Sequence, residues 1–362
     1  MSIYIRRNEE ELIKLEFNRF NDEYSCFEFG NTERDEISAF FNYGLKVVEK
    51  KDSVDYEIFL FYNEEFAENN IFQVYDTKED LRIGWMFPIQ ALISSEHNHV
   101  GNEHFLNYAI IAYEKLLMSC SDLTGKIPTY REDGSYTLQD FYDVENTHVL
   151  ILSKSQTGKI SDFNVDNYIP SLYQKGYFFK KGSNIKKIED SGARLNLKKI
   201  SADIENNAFI KYLFTEILVE NSHHLIKFSM LYQVVELLIE KIFNKELKLM
   251  LDQLSREQKN LFQVKDDLGK LSKESDRIVK LFNTYTREDG SKSQLLMLCN
   301  EFLVGVNRDK KKNAAEALYS VRNVYVHEYR SIDTSNIALI DDINEVFEKV
   351  IIEILHDLNG VK

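Results

Sequence analysis

The chain has 362 residues, 43% of them hydrophobic and 12% aromatic, and a formal net charge of −14. This composition excludes a disordered chain and exceeds what one core usually serves, so two domains are expected. The acidic balance argues against broad, nonspecific nucleic-acid affinity, and no apolar run reaches membrane-spanning length.

Residues 1–195 hold 21 basic and 33 acidic side chains, and residues 196–362 hold 24 and 26, so the negative charge belongs to the first half. That half changes texture often. Period-two alternation in Leu12–Phe17 and Tyr56–Phe61, and the apolar run Val149–Leu152, predict strands. Gly30-Asn31-Thr32 and Glu132-Asp133-Gly134-Ser135 carry turn chemistry. Between them, Phe105, Ala109, Ala112, Leu116 and Leu117 recur at helical spacing and predict a helix over 102–120. Residues 1–195 therefore read as a mixed α/β or β-rich domain, with the border expected within 182–200.

From about Ile200 the pattern is helical to the end, with no proline after Pro170. Helices are expected over 208–219, 223–248, 255–285, 292–304, 311–330 and 335–358. Leu247, Leu254, Leu261 and Leu268 are seven apart, but Glu257 and Gln258 break the seam, so a bundle helix with one apolar stripe fits better than a coiled coil. The expected class is α+β: a β-rich domain followed by an all-α bundle over 196–362.

Two constellations carry chemistry. Glu96-His97-Asn98-His99-Val100-Gly101-Asn102-Glu103-His104 has the atoms for a zinc or manganese site at His97, His99 and His104. It lacks a cysteine and the His-Glu-x-x-His order, and no metal site is predicted. Phosphate loops, dinucleotide fingerprints and nucleophile elbows are absent, and no cofactor is implied. Cys26, Cys120 and Cys299 are scattered and without metal-ligand spacing, and with no secretory signal at the amino end they suggest a reducing cytoplasm.

The second constellation is Arg322-Asn323-Val324-Tyr325-Val326-His327-Glu328-Tyr329, in the penultimate helical segment. Arginine is a fixed, planar phosphate clamp and histidine exchanges a proton near neutrality. Asn323 and His327 are four apart and share a helix face with Ser320 and Arg330, opposite Leu318, Val321 and Tyr325. Arg308, Lys310, Lys311, Lys312 and Arg330 gather around the motif as candidate RNA contacts; Lys310–Lys312 read equally as a solvated first helical turn, where the macrodipole slightly disfavours them. As bland alternatives, Arg322 would pair with Glu316 or Glu328, and Glu236 would brace the site or join a solvated stripe with Gln233 and Glu240.

Arg322, His327 and Tyr329 form an Arg-x4-His-x-Tyr pattern, with Asn directly after the arginine, that resembles the motif of the HEPN superfamily over residues 200 to 358. The resemblance implies an all-helical, metal-independent endoribonuclease that works as a homodimer, with Arg322, Asn323 and His327 at the catalytic centre. Tyr329 would be a regulatory or interface residue, since in the toxin subset this tyrosine is adenylylated by an antitoxin. The implied role is a toxin or antiphage effector acting on RNA, with an antitoxin or trigger molecule at the first domain. Two other readings stand beside it: a noncatalytic HEPN dimerisation protein whose first domain binds a ligand or protein, and catalysis by the histidine cluster.

Overall fold

A computed structural model describes residues 2–8, 11–34, 36–48, 52–63, 69–182, 192–220, 223–286, 290–328, 330, 332 and 334–358. The chain divides into two compact units. The first comprises Met1–Asn164, Lys175–Lys181 and Ile185–Lys198; the second comprises Val165–Gln174, Gly182–Asn184 and Lys199–Lys362. The architecture is α+β, with two five-stranded sheets in the first unit and a helical second unit.

One sheet runs in the order β1 (Ser2–Arg6), β2 (Leu12–Asn21), β3 (Cys26–Gly30), β4 (Ser38–Asn42) and β8 (Ser135–Tyr136). The other has β10 (Arg194–Leu197), β6 (Phe72–Asp76), β7 (Leu81–Pro88), β9 (Thr147–Ser153) and β5 (Tyr56–Tyr62). The three alternating or apolar segments of the sequence are β2, β5 and β9. In the first sheet the alternation is one-sided: Ile13 and Leu15 are buried while Leu12 and Lys14 are exposed. β9 is buried along its whole length, as its unbroken apolar run implies for a strand covered on both faces, and it pairs with β7 on one side and β5 on the other. Gly84 of β7 is required there, since a methyl group would meet the Ile151 carbonyl oxygen at 2.0 Å.

The helix α1 (Glu103–Thr124) supplies the rest of this core through Phe105, Ala109, Ala112, Leu116 and Leu117, all fully buried. Asn102 caps it, its side-chain oxygen accepting from the His104 and Phe105 amides. The two turns behave as their residues dictate: Asn31 accepts from the Glu33 and Arg34 amides, and Asp133 from Ser135 beside a left-handed Gly134. A short helix α2 (Lys154–Thr157) follows β9.

The second unit contains the short helices α3 (Ile169–Gln174), α4 (Ala208–Tyr212) and α5 (Leu218–Glu220). The longer helices are α6 (His224–Ser255), α7 (Leu261–Leu271), α8 (Glu274–Thr284), α9 (Gly290–Gly305), α10 (Ala314–Glu328) and α11 (Thr334–Asp357). The single helix expected over 255–285 is two, α7 and α8, parted at Ser272 and Lys273, and the helix expected over 223–248 runs on to Ser255 as α6. α6 ends at Ser255, Glu257 takes a left-handed conformation, and Asn260 starts α7 through a reciprocal cap with Gln263. The four heptad leucines are thus split between α6 and α7. Inside the bundle, Glu348 of α11 is a buried carboxylate held by Lys227 at 2.9 Å and by the Tyr173 hydroxyl at 3.2 Å. Among the described residues no helix is long and apolar enough to cross a membrane.

Candidate active site

The motif arginine and histidine lie on α10, whose start is set by Asn313, accepting from the Glu316 amide at 2.9 Å. The helix begins at Ala314, later than the expected 311, so Lys310–Lys312 precede it and escape the unfavourable dipole of a first turn. These lysines belong to a strap over 306–313 that is pinned to α9 by one side chain. The Asn300 amide donates to the Lys311 carbonyl at 3.0 Å and its oxygen accepts from the Lys311 amide at 2.7 Å. Lys310 and Lys312 are exposed, and Lys310 borders an open groove of about 470 Å³ with Met297, Asn300, Glu301 and Val304.

Leu318, Val321 and Tyr325 form the buried face of α10. The Tyr325 ring stacks on Phe228 of α6, centroids 4.7 Å apart and planes within 4°, which fixes the rotation of α10 against α6. That rotation turns Arg322 toward α6. Its Nη2 faces Glu236 Oε1 at 3.5 Å, its Nη1 donates to Asn323 Oδ1 at 3.3 Å, and the guanidinium lies over the Tyr232 ring, 5.5 Å from the centroid. Arg322 does not pair with Glu316 or Glu328, the surface partners of the bland reading. Glu328 is taken by Arg308, so one of the five candidate RNA cations is already committed. Arg330 is exposed.

Glu236 is partly exposed between the exposed Gln233 and Glu240, and it also faces the arginine: Gln233 donates to its other oxygen at 2.7 Å while Arg322 faces the first. Below it, the Tyr232 hydroxyl donates to Glu274 of α8 at 3.0 Å. Burial, then the nearby Glu274 carboxylate, drives the Tyr232 phenol far above its ordinary range, so the ring stays neutral. Tyr232 and Glu236 are four apart on α6 and could have been sought as a pair; nothing in the sequence signals Glu274.

His327 is exposed, and among the described residues it makes no hydrogen bond or ion pair. Five residues separate it from Arg322, about 140° around the helix axis. Within one chain, Arg322 and Asn323 are brought together and His327 is held apart from them. Tyr329 lies outside the described residues.

Two of the three histidines in the cluster of the first unit, His97 and His99, pack within the fold. His97 is buried; its Nε2 lies 3.0 Å from the Ala91 carbonyl and its Nδ1 accepts from the His99 amide at 3.2 Å, so both nitrogens are occupied and the proton sits on Nε2. His99 stands edge-on to Trp85 and Phe105, and burial, followed by its neighbour His97, lowers its pKa. His104 is exposed at the start of α1. Among the described residues no group of three or more histidine, cysteine or acidic side chains is placed to hold a metal. The three cysteines are buried and free.

No protein-family model, curated protein or solved structure matches this chain.

Proposed function

We propose that the protein is a metal-independent endoribonuclease of the HEPN type, assembled as a homodimer through its helical unit, with Arg322, Asn323 and His327 as the catalytic set. The supporting observation is the contrast on α10 between a braced guanidinium and an exposed, uncommitted imidazole five residues on. One helix cannot bring the two onto the same phosphate. A twofold axis beside α10 supplies a second copy of each.

In that arrangement the His327 imidazole of one protomer removes the proton from an RNA 2′-hydroxyl, and the freed oxygen attacks the adjacent phosphorus. The 5′-oxygen leaves with a proton from the second His327 or from water. The products are a 2′,3′-cyclic phosphate and a 5′-hydroxyl. Arg322 neutralises charge building on the nonbridging oxygens; its guanidinium has five donors and the two contacts described leave the rest for phosphate. Exposed Lys310 and Lys312 on the strap offer flanking phosphate contacts. The cellular role consistent with this chemistry is a cytoplasmic toxin or antiphage effector, restrained by an antitoxin or a trigger at the first unit.

The Arg322–Glu236 contact favours one other reading, because an arginine committed inside its own bundle serves a noncatalytic dimerisation domain equally well. Incubating purified protein with total tRNA in EDTA separates the two. Wild type cleaves and His327→Ala does not under the first reading; neither cleaves under the second.

A further inference from the structure

A second site lies wholly within the helical unit, where α6, α7 and α8 enclose a cleft of about 340 Å³. Leu249, Met250 and Leu271 give it an apolar wall, and its remaining lining is charged: Lys259, Lys270, Arg277 and Lys280 against Glu246, Asp267 and Asp276, with Gln253. Two of these pairs are closed. Lys259 donates to Asp267 at 2.7 Å, and Lys280 sits 2.7 Å from Glu246, which also accepts from the Tyr285 hydroxyl at 2.6 Å. The Lys259 hydrogen bond holds Asp267 below its ordinary range; Glu246 is also lowered, its bonds from Lys280 and Tyr285 outweighing burial.

Cancelling those pairs leaves Lys270 and Arg277 facing only Asp276, an excess of one positive charge beside an apolar wall. Arg277 carries a further signal. Its guanidinium stands over the Phe243 ring, 5.4 Å from the centroid, and its Nε is buried with no acceptor among the described residues. Arg277 as a whole is partly exposed and lines the cleft, and its guanidinium has further donors beside Nε to offer a ligand there.

From this geometry we infer that the α6–α7–α8 cleft binds a small organic anion, with Arg277 and Lys270 holding a phosphomonoester or carboxylate group and Leu249, Met250 and Leu271 receiving its apolar body. The cleft volume suits a ligand at the small end of the range for such sites. The cleft also has a line to the candidate active site. α8 carries Asp276, Arg277 and Lys280 into it and, two residues earlier, Glu274 onto the Tyr232 hydroxyl beneath Arg322.

Calorimetric titration of the full chain with phenyl phosphate, benzoate and inorganic phosphate tests the inference without any reference to RNA cleavage. Phenyl phosphate should bind in the millimolar range or tighter and more strongly than inorganic phosphate, because only it fills the apolar wall; benzoate tells a carboxylate site from a phosphate site. Arg277→Gln should weaken binding at least about tenfold, and Lys270→Ala, at the rim, about two- to fivefold. Asp276→Asn should tighten it by a similar small factor, an opposite sign that general loosening of the helices would not produce. No binding of any probe, or equal affinity in all three variants, overturns the inference.

Discussion

Histidines 97 and 99 and histidine 327 are chemically alike, and the fold treats them oppositely. Between β7 and α1 a ring is buried, both its nitrogens are matched, and its neighbour is packed against Trp85 and Phe105. On α10 the ring is in solvent and matched to nothing among the described residues, five residues beyond an arginine that is itself held by neighbouring side chains. Density of metal-ligating or proton-carrying residue types is therefore a poor guide to chemistry. What separates the histidines of the first unit from the candidate catalyst is enclosure: His97 and His99 are packed among aromatic rings, and the His327 imidazole is open to solvent.

The largest expected effect attacks this contrast directly. His327→Ala should lower RNA cleavage by about a hundredfold or more while leaving the thermal midpoint unchanged; a loss of folding without a specific loss of rate would make His327 structural. Next in size is an acid effect on the first unit. His148 of β9 is fully buried, and burial pushes its imidazole down to about 4, against a smaller opposing pull from the Asn146 backbone. Between pH 6.5 and about 4 the unfolded chain binds a proton there that the folded chain refuses. Stability therefore falls as pH falls through that window, by ~3 kcal/mol in all. Chemical denaturation of His148→Leu at pH 7 and pH 5 should show a shallower pH dependence than wild type; identical slopes would remove His148 as the cause.

His97→Ala is the mirror of the His327 variant. Losing the bonds to Ala91 and His99 should cost roughly 2 kcal/mol of stability, read by denaturant titration, with RNA cleavage per folded molecule unchanged. A selective loss of activity there would revive the histidine cluster as a site. Smallest are the strap lysines: Lys310→Ala and Lys312→Ala should each reduce the salt dependence of RNA binding by about one counterion. Arg308→Ala should reduce it less, because Arg308 is already paired with Glu328.

Much of the framework was legible because burial is written in periodicity. The one-sided alternation of β2, the saturated run of β9 and the apolar stripe of α1 each correspond to one, two and one buried faces. The break between α6 and α7 was also present in the sequence, as Asn260 three residues before Gln263, but the heptad leucines on either side masked it. The late start of α10 has the same origin: Asn307 turns left-handed and Asn313 caps. Long-range partners were not legible. Glu236 is 86 residues from Arg322 and Glu274 is 42 from Tyr232, and no local pattern ties either carboxylate to its partner. Arg277 gave no sign at all, since its isolation depends on the nearby pairs having closed upon themselves.

The most direct test of the account is cleavage, in EDTA, of an RNA oligonucleotide and of the same strand with a single 2′-deoxynucleotide at the cut position, using wild type and Arg322→Ala. Wild type should cut the all-ribose strand to a 2′,3′-cyclic phosphate and spare the substituted linkage, and Arg322→Ala should cut neither strand. Cleavage at the deoxy linkage, or full activity without Arg322, would contradict it.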